Sequence, residues 1–239
     1  MKWSKRRSFG QHILKDPKIL AKIIEAAQIK KTEIVCEAGT GTGVLTNELC
    51  KYARTVISFE IDDILFEKTK KLLSSFSNLK LMNLDLFKLY SLPFDVFVSN
   101  LPYSRSKEAF QWLSLQKFNR AIIMIQKEFA DKLQSSPGQE NYRAITVIIQ
   151  HCFTIKSLFT VDKKSFDPEP VVTSTVIQLI PKHTRITYNT IRNLNIIFSQ
   201  RNKKASVVAK KFGITLPSCN MRIDELKVEE LIKLSSSKN

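Results

Sequence analysis

Short apolar runs rich in valine, isoleucine and phenylalanine recur along the chain, and between them apolar residues fall at helical spacing. The runs at 34–37, 56–60, 79–84, 95–100 and 121–126 read as strands. The stretches at 43–52, 64–74, 107–115 and 127–134 read as helices, the second with Leu65, Leu72 and Leu73 as apolar positions. Strands separated by single helices need crossover connections, so the pattern predicts an α/β fold on a parallel, doubly wound sheet. Two later runs, 145–152 and 175–180, read as strands with almost no helix between them. They predict an antiparallel hairpin at one edge of the sheet. From about residue 181 the pattern changes: TIRNLNIIFSQRNKKASVVAKKFGI and IDELKVEELIKL show helical periodicity alone. A sheet domain over 1–181 and a small helical domain over 182–239 are expected.

Charge adds a partner to this picture. The chain has 239 residues, with Lys plus Arg at 38 and Asp plus Glu at 22, a net +16. Residues 182–239 carry 12 basic and 4 acidic side chains, a net +8 in 58 residues, and the other 181 carry the remaining +8. Charge is therefore about three times denser in the tail, which suits contacts to a polyanion's phosphates. No run approaches the length of a membrane span, and no apolar segment follows the basic MKWSKRRSFG start, so a cytoplasmic protein is expected. Cys36, Cys50, Cys152 and Cys219 form no C-x-x-C pair, and His12, His151 and His183 are scattered, so neither a disulfide frame nor a metal site is expected.

VCEAGTGTGVLT, residues 35–46, lies between the first predicted strand and helix, with glycines at 39, 41 and 43. A glycine-rich turn there lets a ligand approach the backbone at a helix N-terminus. A dinucleotide fingerprint would need glycine at 44, where Val44 stands, so an NAD site is disfavoured; G-x-G-x-G is the pattern of S-adenosylmethionine (SAM) methyltransferases. Two acids sharpen the reading. Glu60 ends the second predicted strand, placed to accept from both ribose hydroxyls, and Asp85 ends the third, placed to accept from an adenine amino group. Singly, each acid is better explained by a helix cap or a solvated loop. Together with the glycine turn they fall on three successive strand ends, where such sheets bind ligands.

The fourth predicted strand ends in Asn100-Leu101-Pro102-Tyr103. Taken alone this is a turn, since proline fixes its own φ and holds Leu101 extended. On the same rim as the cofactor groups it gains a chemistry. An adenine amino group is a poor nucleophile, and a site helps by accepting its hydrogens through the Asn100 amide oxygen and the Leu101 or Pro102 carbonyl. Tyr103 offers a ring on which the base can stack. Phe166, in SFDPEPVVTS beside Pro168 and Pro170, suits the other side of a base sandwich and equally suits a core plug.

These motifs together resemble the ribosomal RNA adenine dimethyltransferase family, which contains the small-subunit rRNA dimethyltransferases and the macrolide-resistance methyltransferases. The likeness runs through FGQHILKD, EAGTGTGVLT, FEID, LD, NLPY, MIQKEFADKL and SFDPEPVVTS, over roughly 8–181, and SQRNKK and RIDELKVEELIKL extend it towards the small-subunit branch. It implies the Rossmann-like sheet of class I SAM-dependent methyltransferases with a small C-terminal helical domain. It further implies that Gln11, His12 and Leu14 line the cofactor, that Gly39 and Gly41 lie beneath its methionine moiety, and that Glu60 with Ile61 holds the ribose. Asp85 with Leu86 would hold its adenine, Asn100 with the Leu101 and Pro102 backbone would orient the target amino group, and Tyr103 and Phe166 would sandwich the base. The chain departs from the family at His12, where asparagine is usual, and after NLPY, where Arg105 and Lys107 interrupt a usually apolar and Ser-Thr pattern. The expected activity is SAM-dependent dimethylation of adenines in small-subunit rRNA, by a monomer acting in ribosome biogenesis. Large-subunit rRNA as substrate, and a SAM-binding assembly factor without turnover, remain as alternatives.

Overall fold

The computed structural model describes residues 12–213 and 220–236. Gln11 and Cys219 lie outside the described residues. A two-residue strand β1 (Ile13–Leu14) leads into helix α1 (Pro17–Ala27). This helix is not among those expected, although Ile19, Leu20, Ile23, Ile24 and Ala27 fall at helical spacing and Asp16-Pro17 marks its start. The Asp16 carboxylate accepts from the N–H groups of Lys18 at 2.9 Å and Ile19 at 3.4 Å, and Pro17 starts the helix where no N–H is needed.

Strands β2 (Ile34–Ala38), β3 (Thr55–Phe59), β4 (Leu79–Met82), β5 (Val96–Asn100) and β6 (Arg120–Gln126) pair in parallel, in the order β4-β3-β2-β5-β6. Helices α2 (Val44–Tyr52), α3 (Asp63–Leu72) and α4 (Ser106–Leu113) lie between them in sequence. The inner strands are covered on both faces, so their side chains read as continuous apolar runs: Val96, Phe97 and Val98 are all fully buried. Strand order reverses between β2 and β5, which opens a crevice at their carboxyl ends. Beyond β6, the sheet of seven strands ends with β9 (Ser174–Pro181), antiparallel to β6, and then β7 (Phe153–Val161). A separate pair joins β1 to β8 (Phe166–Asp167), with Leu14 opposite Phe166.

One predicted strand is a helix. Residues 145–152 lie in α6 (Ala144–Cys152), which follows α5 (Lys127–Leu133). The run AITVIIQHC is β-branched, but nearly all of it is buried, and period cannot separate a short, wholly buried helix from a buried strand. Thr146 decides the matter locally: its hydroxyl accepts from the Arg143 N–H at 3.1 Å and donates to the Lys132 carbonyl at 2.8 Å. The strand at the sheet edge is instead the FTIKSLFTV segment of β7, which begins directly after α6.

Contacts gather the chain into two compact units, one within Met1–Ala109, Gln116–Lys127 and Lys156–Ile180, the other within Phe110–Leu115, Glu128–Ile155 and Pro181–Asn239. The second unit contains α7 (Tyr188–Phe198), α8 (Ala205–Lys210) and α9 (Val228–Ser236). Its core draws on segments before residue 182 as well as the tail. Tyr142 is fully buried, its hydroxyl donates to the Leu226 carbonyl at 3.2 Å, and its ring meets Phe198 edge-on at 5.9 Å.

In the first unit, Arg120 at the start of β6 pins the end of α1. Its guanidinium donates to both Glu33 oxygens at 2.8 Å, to the Ala27 carbonyl at 2.8 Å and to the Gln28 carbonyl at 2.7 Å. The Arg120 hydrogen bonds hold the Glu33 carboxyl below its ordinary value of 4.5, against the opposing pull of burial. This stabilisation is present above about pH 4.5 and is lost as pH falls through the depressed value. Arg120→Ala strips a mostly buried carboxylate and two carbonyls of donors. Chemical denaturation at pH 7 should show a loss of about 3 kcal/mol, shrinking in acid; a loss below about 0.5 kcal/mol would show the pair to be a surface ornament.

Candidate active site

The crevice at the strand ends is lined by two adjoining clefts. One, of about 750 Å³ and open to solvent, is walled by His12, Leu14, Glu37, Gly39, Gly41, Glu60, Asn100, Pro102 and Tyr103, among others. The other, of about 500 Å³, is walled by Gly39, Glu60, Ile61, Asp85, Leu86, Phe87, Pro102 and Arg105, among others. The predicted cofactor residues among the described ones therefore share one rim.

The glycine turn is shaped by backbone angles that side chains resist. Gly39 and Gly43 both take φ of 82°, and a Cβ at Gly43 would stand 2.9 Å from the Thr69 methyl. The turn is fastened from outside. The N–H groups of Gly39 and Thr40 donate to the Phe59 carbonyl at 2.8 and 3.1 Å, and the Thr69 hydroxyl donates to the Gly41 carbonyl at 2.8 Å.

Glu60 is almost fully buried and accepts from the Gly41 N–H at 2.8 Å and the Asp62 N–H at 2.9 Å, one bond on each oxygen. Burial raises its carboxyl above the ordinary value, and the Asp62, Gly41 and Ile61 N–H groups pull it back in part. Each oxygen keeps a further lone pair, which is the capacity a pair of ribose hydroxyls requires. Asp85 caps the short 3-10 turn Leu86–Lys88, accepting from the Phe87 N–H at 3.2 Å, and is also held by Arg105 at 2.8 and 3.1 Å.

At the end of β5 the Asn100 side chain is half-buried, and its amide nitrogen donates to the His12 carbonyl at 3.2 Å. That bond fixes which end of the amide is free: the oxygen remains to accept. The Pro102 carbonyl already accepts from the Arg105 N–H at 2.9 Å. The Tyr103 hydroxyl bonds the Ser174 hydroxyl at 2.6 Å, and its ring lies 5.3 Å from the His12 ring at a 32° tilt. The His12 Nδ1 is 2.8 Å from the Pro168 carbonyl, so His12 joins the proline loop to the Asn100 turn.

Phe166 is not on this rim. It is fully buried in the core with Leu14, Val161 and Val176, because β8 pairs with β1 and points Phe166 inward while Asp167 faces out. Phe166 lines neither cleft, as a core plug would not, and the ring beside Tyr103 is His12.

Three groups escaped sequence reasoning. Glu37 is fully buried at the base of the turn; one oxygen accepts from the Thr46 and Ser58 hydroxyls, each at 2.6 Å, and the other has no hydrogen-bond partner and belongs to a residue lining the cleft. Its position two residues before the first glycine was the available signal. Thr69 was visible only as an ordinary helix residue, and Arg105 only as a departure from the family pattern with no partner assigned. An orphaned buried carboxyl oxygen beside a positive-φ glycine turn fits a ligand that brings polar hydrogens, as the amino acid portion of SAM does.

Comparison with known proteins agrees with this geometry. The family model for ribosomal RNA adenine dimethylase matches residues 2–234. A protein of Thermotoga maritima named ribosomal RNA small subunit methyltransferase A is 32% identical over 236 residues, covering 96% of this chain and 84% of its own. A probable dimethyladenosine transferase of Caenorhabditis elegans is 36% identical over 202 residues, covering 81% of this chain and 66% of its own. Among solved structures, a dimethyladenosine transferase from Plasmodium falciparum aligns with a TM-score of 0.77 at 30% identity, covering 93% of this chain and 96% of the other. The 23S rRNA methyltransferase ErmE shares the fold, with a TM-score of 0.63 at 24% identity and coverage of 93% and 99%.

Burial pushes the Glu37 carboxyl up to about 8, against the Ser58 and Thr46 hydroxyls that favour its charged form, and Glu60 adds to the rise. A carboxyl raised in this way stabilises the fold fully below its unfolded value of about 4.5, and that contribution is lost as pH rises through about 8. Glu37→Gln removes the titration. Thermal melts should show the variant gaining on the parent from pH 5 to pH 8, by at least about 1 kcal/mol. A difference that stays constant across that range would mean Glu37 does not titrate there.

Proposed function

The chain belongs to the ribosomal RNA adenine dimethylase family, and we propose that it dimethylates the exocyclic amino group of adenines in small-subunit rRNA with SAM as methyl donor. The observation that carries this reading is the Asn100 amide. Its nitrogen end is committed to the His12 carbonyl, and its oxygen is left to accept on a rim shared with Gly39, Glu60 and Glu37.

SAM, when bound, supplies a methyl group already activated by the sulfonium. The chain's own task is positioning. The Gly39–Gly43 turn admits a ligand against the backbone, Glu60 offers lone pairs to ribose hydroxyls, and Asp85 offers one to an adenine amino group. The Asn100 oxygen and the adjacent backbone carbonyls draw on the hydrogens of the target amino group, which localises its lone pair. Tyr103, tethered through Ser174, presents a ring to the target base, which must leave its stack to arrive. No side chain is required to act as nucleophile.

Similarity to relatives named for the small subunit, at 32% identity over nearly the whole chain, favours that substrate. The basic tail supports an RNA partner: Lys203, Lys204, Lys210 and Lys211 are all exposed. No helix among the described residues is long and apolar enough to cross a membrane. We place the activity in the cytoplasm, in a monomer.

Asn100→Ala should fold and bind cofactor normally, and kcat for methyl transfer to small-subunit rRNA should fall by roughly 10²–10³; near-parental turnover would remove Asn100 from the mechanism. Mapping dimethyladenosine on both rRNAs of a deletion strain should show the loss on the small-subunit rRNA, and a loss confined to the large-subunit rRNA would reassign the substrate. RNA affinity should fall steeply with salt, by about 10³ between 50 and 200 mM if roughly six phosphates are contacted. A flat titration would argue against phosphate-led binding.

A further inference from the structure

Two residues beyond the Asn-Leu-Pro-Tyr turn, Arg105 reaches Asp85, which follows the edge strand β4. We propose that Arg105 is a positioning residue of the cofactor's adenine subsite, holding the Asp85 carboxylate in the orientation that receives the adenine amino group. This rests on the reading of the crevice as a SAM site.

The guanidinium is fixed on several sides. Its Nη2 donates to both Asp85 oxygens, at 2.8 and 3.1 Å, and its Nε donates to Glu108 at 2.7 Å. Its Cζ stands 5.1 Å from the centre of the Phe87 ring, over the ring face. The Arg105 and Asp85 side chains are only 23% and 19% exposed, so the pair is shielded well beyond an ordinary surface ion pair.

Counting lone pairs shows what the arrangement leaves open. Asp85 Oδ1 accepts from both the Phe87 N–H and Arg105, while Oδ2 accepts from Arg105. A carboxylate oxygen has two acceptor sites, so Oδ2 retains one, and an adenine amino group needs one. The same cleft is walled by Ile61, Leu86 and Pro102, which suit the faces of a flat heterocycle. The Phe87 N–H holds one Asp85 oxygen, and Arg105, by holding both, leaves the carboxylate an acceptor aimed one way. The staple to Glu108, three residues on, is by itself a weak surface contact.

Calorimetric titration of the full-length chain with S-adenosylhomocysteine tests the proposal. Arg105→Met should weaken binding roughly tenfold, the size expected for a charge-assisted contact. Arg105→Lys should recover part of that loss, since it keeps the charge and gives up the planar fork. In an Asp85→Ala background, Arg105→Met should change affinity by less than about twofold, because nothing remains to be positioned. Parental affinity in Arg105→Met, or an equal loss in both backgrounds, would overturn the proposal. Failure of the unaltered chain to bind S-adenosylhomocysteine would instead overturn the reading of the crevice as a SAM site.

Discussion

Gly39, Gly41 and Gly43 take φ values of 82°, 57° and 82°, a sequence of bends that side-chain-bearing residues resist, and the rest of the site is arranged around them. The turn's N–H groups go to the Phe59 carbonyl and to Glu60, and its Gly41 carbonyl goes to Thr69. Phe59 ends β3, the neighbour of β2, Glu60 follows it, and Thr69 lies on α3, the helix after β3. The parallel register of β2 with β3 is therefore what brings Glu60 within reach of the glycines. Sheet topology and site geometry are one constraint seen at two scales.

That arrangement places carboxylates in an enclosed space, and the chain treats them differently. Glu37 and Glu60 accept from hydroxyls and backbone N–H groups, which are neutral, and burial raises both. Asp85 accepts from a guanidinium. The neutral donors leave lone pairs and, at Glu37, one whole oxygen without a partner. Such vacancies cost stability in the empty protein, and that cost is recovered when a ligand supplies the missing donors. A cleft holding acids only partly satisfied is thus poised for a ligand carrying hydroxyl, amino and cationic groups together.

The sheet was legible because most of its parallel strands are discrete apolar runs followed by a helix of different period; the edge strand β4, LKLM, leads only into the 3-10 turn Leu86–Lys88. The rim was legible for the same reason: a residue that ends a strand in such a sheet has its location settled by topology, so Glu60, Asp85 and Asn100 needed no contact information. Residues 145–152 were misread because AITVIIQHC is buried nearly all round, which erases period. Phe166 was ambiguous because stiff flanking prolines do not say which way a ring faces; the pairing of β8 with β1, distant in sequence, does. Arg105 was visible as a departure from its family, but its partner lies 20 residues away on another strand end, and no local pattern links them.

On the proposed function, Asn100 shows why the target side of the site would use an amide. An aspartate there would offer two acceptors to the amino group, but it would be another carboxylate in a crevice where Glu37 and Glu60 are already raised by burial and where Glu60 adds to the rise at Glu37. Its own charge would be disfavoured in turn, and a protonated acid would lose the acceptor strength that recommended it. The amide has a fixed dipole that does not titrate. Anchoring its nitrogen on the His12 carbonyl at 3.2 Å removes the one ambiguity an amide carries, its freedom to flip. An acceptor of constant strength and settled direction results, and the bond that settles it joins β5 to the segment before β1. His12 therefore walls the cleft and also sets the direction in which the Asn100 oxygen faces.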